Sequence, residues 1–303
     1  MNVVVSHWSA NVAALTAYAV AAAAHLIGTR DAATGLPRPS RPRGQLARAA
    51  SYQAGLLLAL LAIVSPMGYW SYRFIWVRNV QDVVLAIAAP ALIVLGAPWR
   101  PLTRDLRLGG RLNRAYQRAA VGPGDDEADG RNWPPGWTAV PILVTAAFCV
   151  AWWAWHLPAP FDAALSSSAV YAAEVVSYLT AGILLWLELV ESPPLRPRLA
   201  PLRRVALVLA VAASGTVLGL IRVYNAGLVY PAYLGFRHHV LSVVADQQVG
   251  GAVLWVIPLV PFSVLAVALA IGWLKDDESE APAAGIDRML MHRPAWPSRP
   301  GLR

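Results

Sequence analysis

The stretch that decides the fold runs Val80-Gln-Asp-Val-Val-Leu-Ala-Ile-Ala-Ala-Pro90-Ala-Leu-Ile-Val-Leu-Gly-Ala-Pro98. It carries a single charge, at its beginning, and is followed at once by Trp99-Arg100 and a run of further arginines. Crossing about 30 Å of hydrocarbon takes about 20 mostly apolar residues in a helix, because an open backbone finds no hydrogen-bond partners in lipid. This stretch meets that demand and ends in the basic flank expected at a cytoplasmic boundary. Six more segments read the same way: Asn11 to Thr29, Ser51 to Ser65 with an extension back through Leu46 to Ala50, Trp137 to His156, Val170 to Val190, Arg204 to Tyr224 and Gly250 to Trp273. The expected fold is therefore all-α, a polytopic bundle of seven transmembrane helices. The first segment has no basic region before it and its arginines follow it, the reverse of a secretory leader, so it is read as a retained helix.

The loops orient the bundle. Of the 25 basic residues, five lie in Arg30 to Arg48, seven in Arg100 to Arg131, four in Arg196 to Arg204 and five from Lys275 onward. With seven spans these four stretches share one side, leaving Arg73, Arg78, Arg222 and Arg237 on the other. Basic loops stay cytoplasmic, so the N-terminus is expected outside and the C-terminus in the cytoplasm of a bacterial cell membrane. A count of six or eight spans would destroy that separation. Residues 1–275 then form the transmembrane domain, with a cytoplasmic loop over 99–136 and a disordered cytoplasmic tail over 276–303.

Composition agrees. The chain is 57% hydrophobic and 14% charged, against about 25% charged for soluble domains. The net charge of +8 is spread between spans and not over one folded face, so the expected environment is membrane lipid and not nucleic acid. A lone Cys149 excludes an intrachain disulfide and a cysteine-based metal cage. Arg104, Arg107, Arg111, Arg114 and Arg118 recur at spacings of three and four, the pattern of one face of an interfacial helix on anionic lipid, or equally of plain positive-inside bias. Gly122 to Gly136 reads as a flexible connection. Pro90, Pro258 and Pro261 predict kinks, and Gly215 with Gly219 a close helix crossing.

The polar residues that remain gather on the outer side, and ionisable groups at helix ends pair, line a wet cavity or meet a partner. The candidate functional face comprises His156, Asp162, Glu174, Asp246, Gln247 and Gln248. His156 is the one candidate metal ligand, set against a structural place in a belt of Trp152, Trp153 and Trp155. Arg78 and Asp82, four apart, read as a helical ion pair. Asp246 at a helix start reads as a cap or a functional acid. The adjacent His238 and His239 point about 100° apart on a helix and read as loop residues.

In this order the segments Ser65-Pro-Met-Gly68, Val80-Gln-Asp82 through Ala89-Pro90 to Leu95-Gly-Ala-Pro98, Trp155-His-Leu-Pro158 with Phe161-Asp-Ala-Ala-Leu165, and Asp246-Gln-Gln-Val-Gly-Gly251 with Trp255 resemble the CtaG-like cytochrome c oxidase assembly factor family. The resemblance implies a non-enzymatic seven-helix factor serving a copper-containing oxidase on its outer side, with copper as a possible cofactor and an oxidase subunit or copper carrier as partner. The chain departs from the pattern where relatives resemble His-Met-Val-Gln-His and it has Arg78-Asn-Val-Gln-Asp82, and where Val175 replaces a histidine beside Glu174. Arginine opposes a metal, so the exchange reads as an ion pair in place of a ligand pair. A small-solute transporter or channel is the alternative class. It calls for ionisable groups deep in the bilayer, which the spans lack. A haem enzyme would need paired histidines, whereas His25 and His156 belong to opposite ends.

Overall fold

The computed structural model describes residues 7–34, 42–104, 139–235 and 241–291. Among these the structure is helical and contains no strand. Six helices are long and apolar enough to cross a membrane, and a bent pair brings the number to seven. They are α1 (Val12–Thr34), α2 (Pro42–Val64), a broken third span, the bent fourth, α9 (Ser168–Leu189), α10 (Pro201–Tyr224) and α11 (Val243–Met291). Between α2 and the third span lies the short α3 (Pro66–Ser71), which starts on Pro66 and is capped by the Ser65 hydroxyl accepting from the Met67 amide at 3.3 Å.

The third span is the hub, 72% of it buried. It comprises α4 (Ile75–Val83), a π-helical turn over Val84–Ala88 and α5 (Ala89–Leu95). The cause of the turn is Pro90, which has no amide to give the carbonyl of Ala86 four residues earlier. That carbonyl turns to α9, where Gly182 leaves room: a Cβ on Gly182 would sit 2.2 Å from Ala86 O. Gly96 and Ala97 end the span, Ala97 taking a left-handed φ of 46° before Pro98. The short α6 (Trp99–Arg104) follows. Its Pro101 backbone lies against Gly28 of α1.

The fourth span bends by 68°. α7 (Ala139–Trp155) stops because Leu157 precedes Pro158, which disfavours helical geometry for the residue before it. Leu157 is extended, and α8 (Pro158–Ser166) restarts on that proline. In α11 the helix runs unbroken through Pro258 and Pro261, while Gly219 of α10 and Gly251 of α11 face each other's carbonyls, a Cβ on either meeting the opposite carbonyl oxygen at 2.7 and 2.8 Å. The small-residue spacing in α10 thus serves packing within the chain.

Two differences from the sequence reading concern element limits. The third span starts at Ile75 rather than Val80, taking in Arg78 and Asn79 as buried residues. The last helix continues to Met291, into the stretch read as an unstructured tail. The arginine series from Arg107 to Arg118, the Gly122 to Gly136 connection, His238 and His239 lie outside the described residues.

The apolar core is built from α2, the third span, α7, α9, α10 and α11, around Leu85, Trp152, Tyr178, Leu185, Val208 and Leu254. A smaller core of Ile75, Phe161, Tyr230 and Tyr233 closes the end at which α4 and α11 begin and α10 finishes. Ser9 donates its amide to Val64 O at 2.9 Å, placing the start of α1 at this same end.

Candidate functional site

At that end a group of buried polar side chains sits between α4, the α7–α8 break, α9, α10 and the start of α11. Arg78, Asn79, Gln81 and Asp82 of α4, His156 at the break, Glu174 of α9, Arg222 of α10, and Asp246 and Gln247 of α11 are all no more than 3% exposed. Five formal charges in so little space must answer one another, because an unpaired buried ion costs several kcal/mol.

The first answer differs from the sequence expectation. Arg78 makes its ion pair with Glu174 of α9, through Nη2 and Oε2, and not with Asp82 one turn along its own helix. The reason is geometric: α9 packs against the third span, and Glu174 offers an interhelical partner inside the bundle, whereas an i, i+4 pair needs both side chains lying along one helix surface. The Arg78 guanidinium also stands 4.7 Å over the Phe161 ring. Arg222 lies 5.6 Å over that ring and 4.6 Å over Tyr230, so aromatic faces help to hold both cations.

Asp82 instead faces His156, with Oδ2 3.6 Å from Nε2. The other imidazole nitrogen, Nδ1, lies 2.6 Å from the Trp152 carbonyl. A carbonyl only accepts, so Nδ1 bears a hydrogen. Tyr178 places its hydroxyl 3.3 Å from the same nitrogen. The carbonyl of His156 accepts from Arg222 Nη2 at 2.6 Å and from the Tyr230 hydroxyl at 2.8 Å. The helix break thus exposes a carbonyl, and a buried cation takes it.

The remaining groups tie the loop after α10 to the bundle. Gln247 accepts from the Val229 amide at 2.9 Å and donates to Gly227 O at 3.1 Å. Tyr233 donates to the Ser71 carbonyl at 2.9 Å. Burial pushes the Tyr233 phenol well above its ordinary value, so it remains a neutral donor. Asp246 caps a helix, but not its own: its carboxylate accepts from the Ile75 amide at 2.8 Å and the Trp76 amide at 3.1 Å. Those are orphan donors at the start of α4, and a carboxylate there also faces the favourable end of the dipole. Asp246→Ala is expected to cost about 2 kcal/mol, the penalty for unsatisfied buried donors, and Asp246→Asn less; thermal unfolding in detergent measures both.

The structure therefore brings His156, Glu174, Asp246 and Gln247 to one end of the bundle. Asp162 is half-buried and accepts from the backbone of Ala232, and Gln248 is half-buried beyond Gln247. Missed by sequence reasoning were Asn79 and Gln81, Tyr171 and Tyr178, and Tyr230 and Tyr233. Gln81 donates to Ala62 O at 2.6 Å and to the Tyr171 hydroxyl at 2.8 Å. The spacing Tyr171-x2-Glu174-x3-Tyr178 puts three polar groups on one helical face and could have flagged them.

The donor set of the described residues does not fit copper. Among the described residues no three His, Cys, Asp or Glu side chains converge as metal ligands. Among the described residues, Asp82 alone offers a further metal ligand within reach of His156, in the electrostatic field of Arg78 and Arg222. Cys149 sits midway along α7 and bonds to Ser214. Soft cuprous copper seeks sulfur and imidazole and is opposed by neighbouring guanidinium charge.

No curated protein and no solved structure gives a significant match to the chain. A family model described as cytochrome c oxidase caa3 assembly factor matches residues 23–276. That interval takes in every transmembrane span from the second half of α1 onward and the whole buried polar end. The chain belongs to the cytochrome c oxidase caa3 assembly factor family.

Proposed function

We propose that this chain assists oxidase assembly from the extracytoplasmic end of the bacterial cell membrane, by contact with an oxidase subunit or a copper carrier, without holding copper or catalysing a reaction itself. The observation that supports this reading is the charge-balanced group at one end of the bundle: Arg78 with Glu174, Asp82 with His156, and Arg222 on the His156 carbonyl. Such a network fixes the α7–α8 break and residues 225–235 as a rigid shelf, which lowers the ordering cost of docking. The positive-inside distribution supports an outward position for that shelf. Among its described side chains no three metal ligands converge, and contact is the activity they suit.

The test is the level of assembled oxidase in membranes of a strain lacking this chain, read from the haem a spectrum. The expected result is a fall to well under half, restored by the wild-type chain and equally by Cys149→Ala. Unchanged oxidase in the deletion strain would overturn the assembly reading.

A further inference from the structure

Asp82 Oδ2 and His156 Nε2 face each other at 3.6 Å, and among the described residues neither has a hydrogen-bond partner. Nδ1 of that imidazole already carries its hydrogen for Trp152. In a neutral ring Nε2 is then a bare lone pair. With an ionised Asp82, two electron-rich atoms would confront each other in a site that is 3% exposed or less with no donor between them, the arrangement that buried polar groups avoid.

We propose that His156 and Asp82 hold one additional proton between them, forming a buried proton-binding site that secures the α7–α8 break. The proton is transferred from hydronium: one O–H bond of the donor breaks, leaving water, and one bond forms to Oδ2 or to Nε2. It lies either on Oδ2, donating to Nε2, or on Nε2, donating to Oδ2; both forms bear the same charge. Among the described residues, the charged or titratable groups facing the pair are these. Arg78 on α4 and Glu174 on α9 bind each other. Arg222 on α10 lies against the His156 carbonyl. Tyr178 approaches Nδ1, Tyr230 donates to the carbonyl, and Tyr171 and Tyr233 bond to Gln81 and Ser71. None of these donates to Oδ2 or Nε2.

The site has a structural consequence because His156 is read twice. Its ring meets Asp82 and its carbonyl holds Arg222 and Tyr230, so loss of the proton sets the ring against the carboxylate and loosens the grip on the loop after α10. The inference stands on this geometry and goes beyond the assembly reading, since it is tested on the purified protein alone.

The experiment combines infrared difference spectroscopy with nitrogen NMR of 15N-histidine-labelled protein in lipid nanodiscs at neutral pH. The expected result is a protonated carboxyl band that shifts in D2O and vanishes in Asp82→Asn, or an imidazolium signal that vanishes in His156→Gln. An ionised Asp82 beside a neutral His156 bearing an unprotonated Nε2 would overturn the proposal. Hydrogen exchange of residues 225–235 supplies the second readout. Asp82→Asn keeps a donor toward Nε2 and is expected to leave exchange unchanged, whereas Asp82→Leu is expected to speed it about tenfold, the worth of one buried hydrogen bond. Equal exchange in both variants would overturn the link to the loop.

Discussion

Replacing Arg78 by methionine is expected to cost about 3–5 kcal/mol, because it strands Glu174 as a buried, uncompensated carboxylate. Both side chains are 1% exposed, so water cannot take over the lost partner. Arg78 also covers Phe161, and a methionine of similar length retains much of that packing, which isolates the charge. The double variant Arg78→Met with Glu174→Met removes both ions and should recover most of the loss. A double-mutant cycle on detergent unfolding midpoints reads the coupling. If the single and double variants are equally stable, the pair does not carry the weight assigned to it.

Gly182→Ala is expected to cost about 3 kcal/mol, at the upper end for overpacking. The new Cβ would lie 2.2 Å from Ala86 O and 2.7 Å from Pro90 Cγ, and neither the backbone carbonyl nor the proline ring gives way easily. Gly272→Ala in α11 is the matched control: nothing lies within 4 Å of its Cβ position, and alanine gains about 1 kcal/mol of helix propensity. Expression and unfolding of the two variants side by side distinguish a local clash from a general intolerance of alanine. A Gly182→Ala protein as stable as wild type would show that the π-helical turn moves freely against α9.

The spans were legible because lipid imposes a demand on length and apolarity that few other contexts imitate, and the segments from α9 to α11 stand out on that ground alone. The sequence reading starts the third span at Val80 and leaves out Arg78 and Asn79, which look like surface residues. Arg78, Gln81 and Asp82 are buried because Glu174, Tyr171 and His156 answer them from α9 and the α7–α8 break, and single-helix periodicity contains nothing of that. The same limit explains Arg78. Spacing of four is visible within a helix, while the pairing with Glu174 spans 96 positions and exists only once α4 and α9 are packed. Asp246 was legible as a cap by residue type, but which helix it caps depends on tertiary structure. The bend at Leu157-Pro158, by contrast, follows from local chemistry.

Charge pairs organise the buried polar end of the bundle, where we propose that no metal is held. The direct measurement is copper per chain in purified protein after loading with Cu(I), compared with a His156→Ala variant. The account predicts far less than one copper per chain in both, with no difference between them. One copper per wild-type chain, lost in His156→Ala, would contradict it.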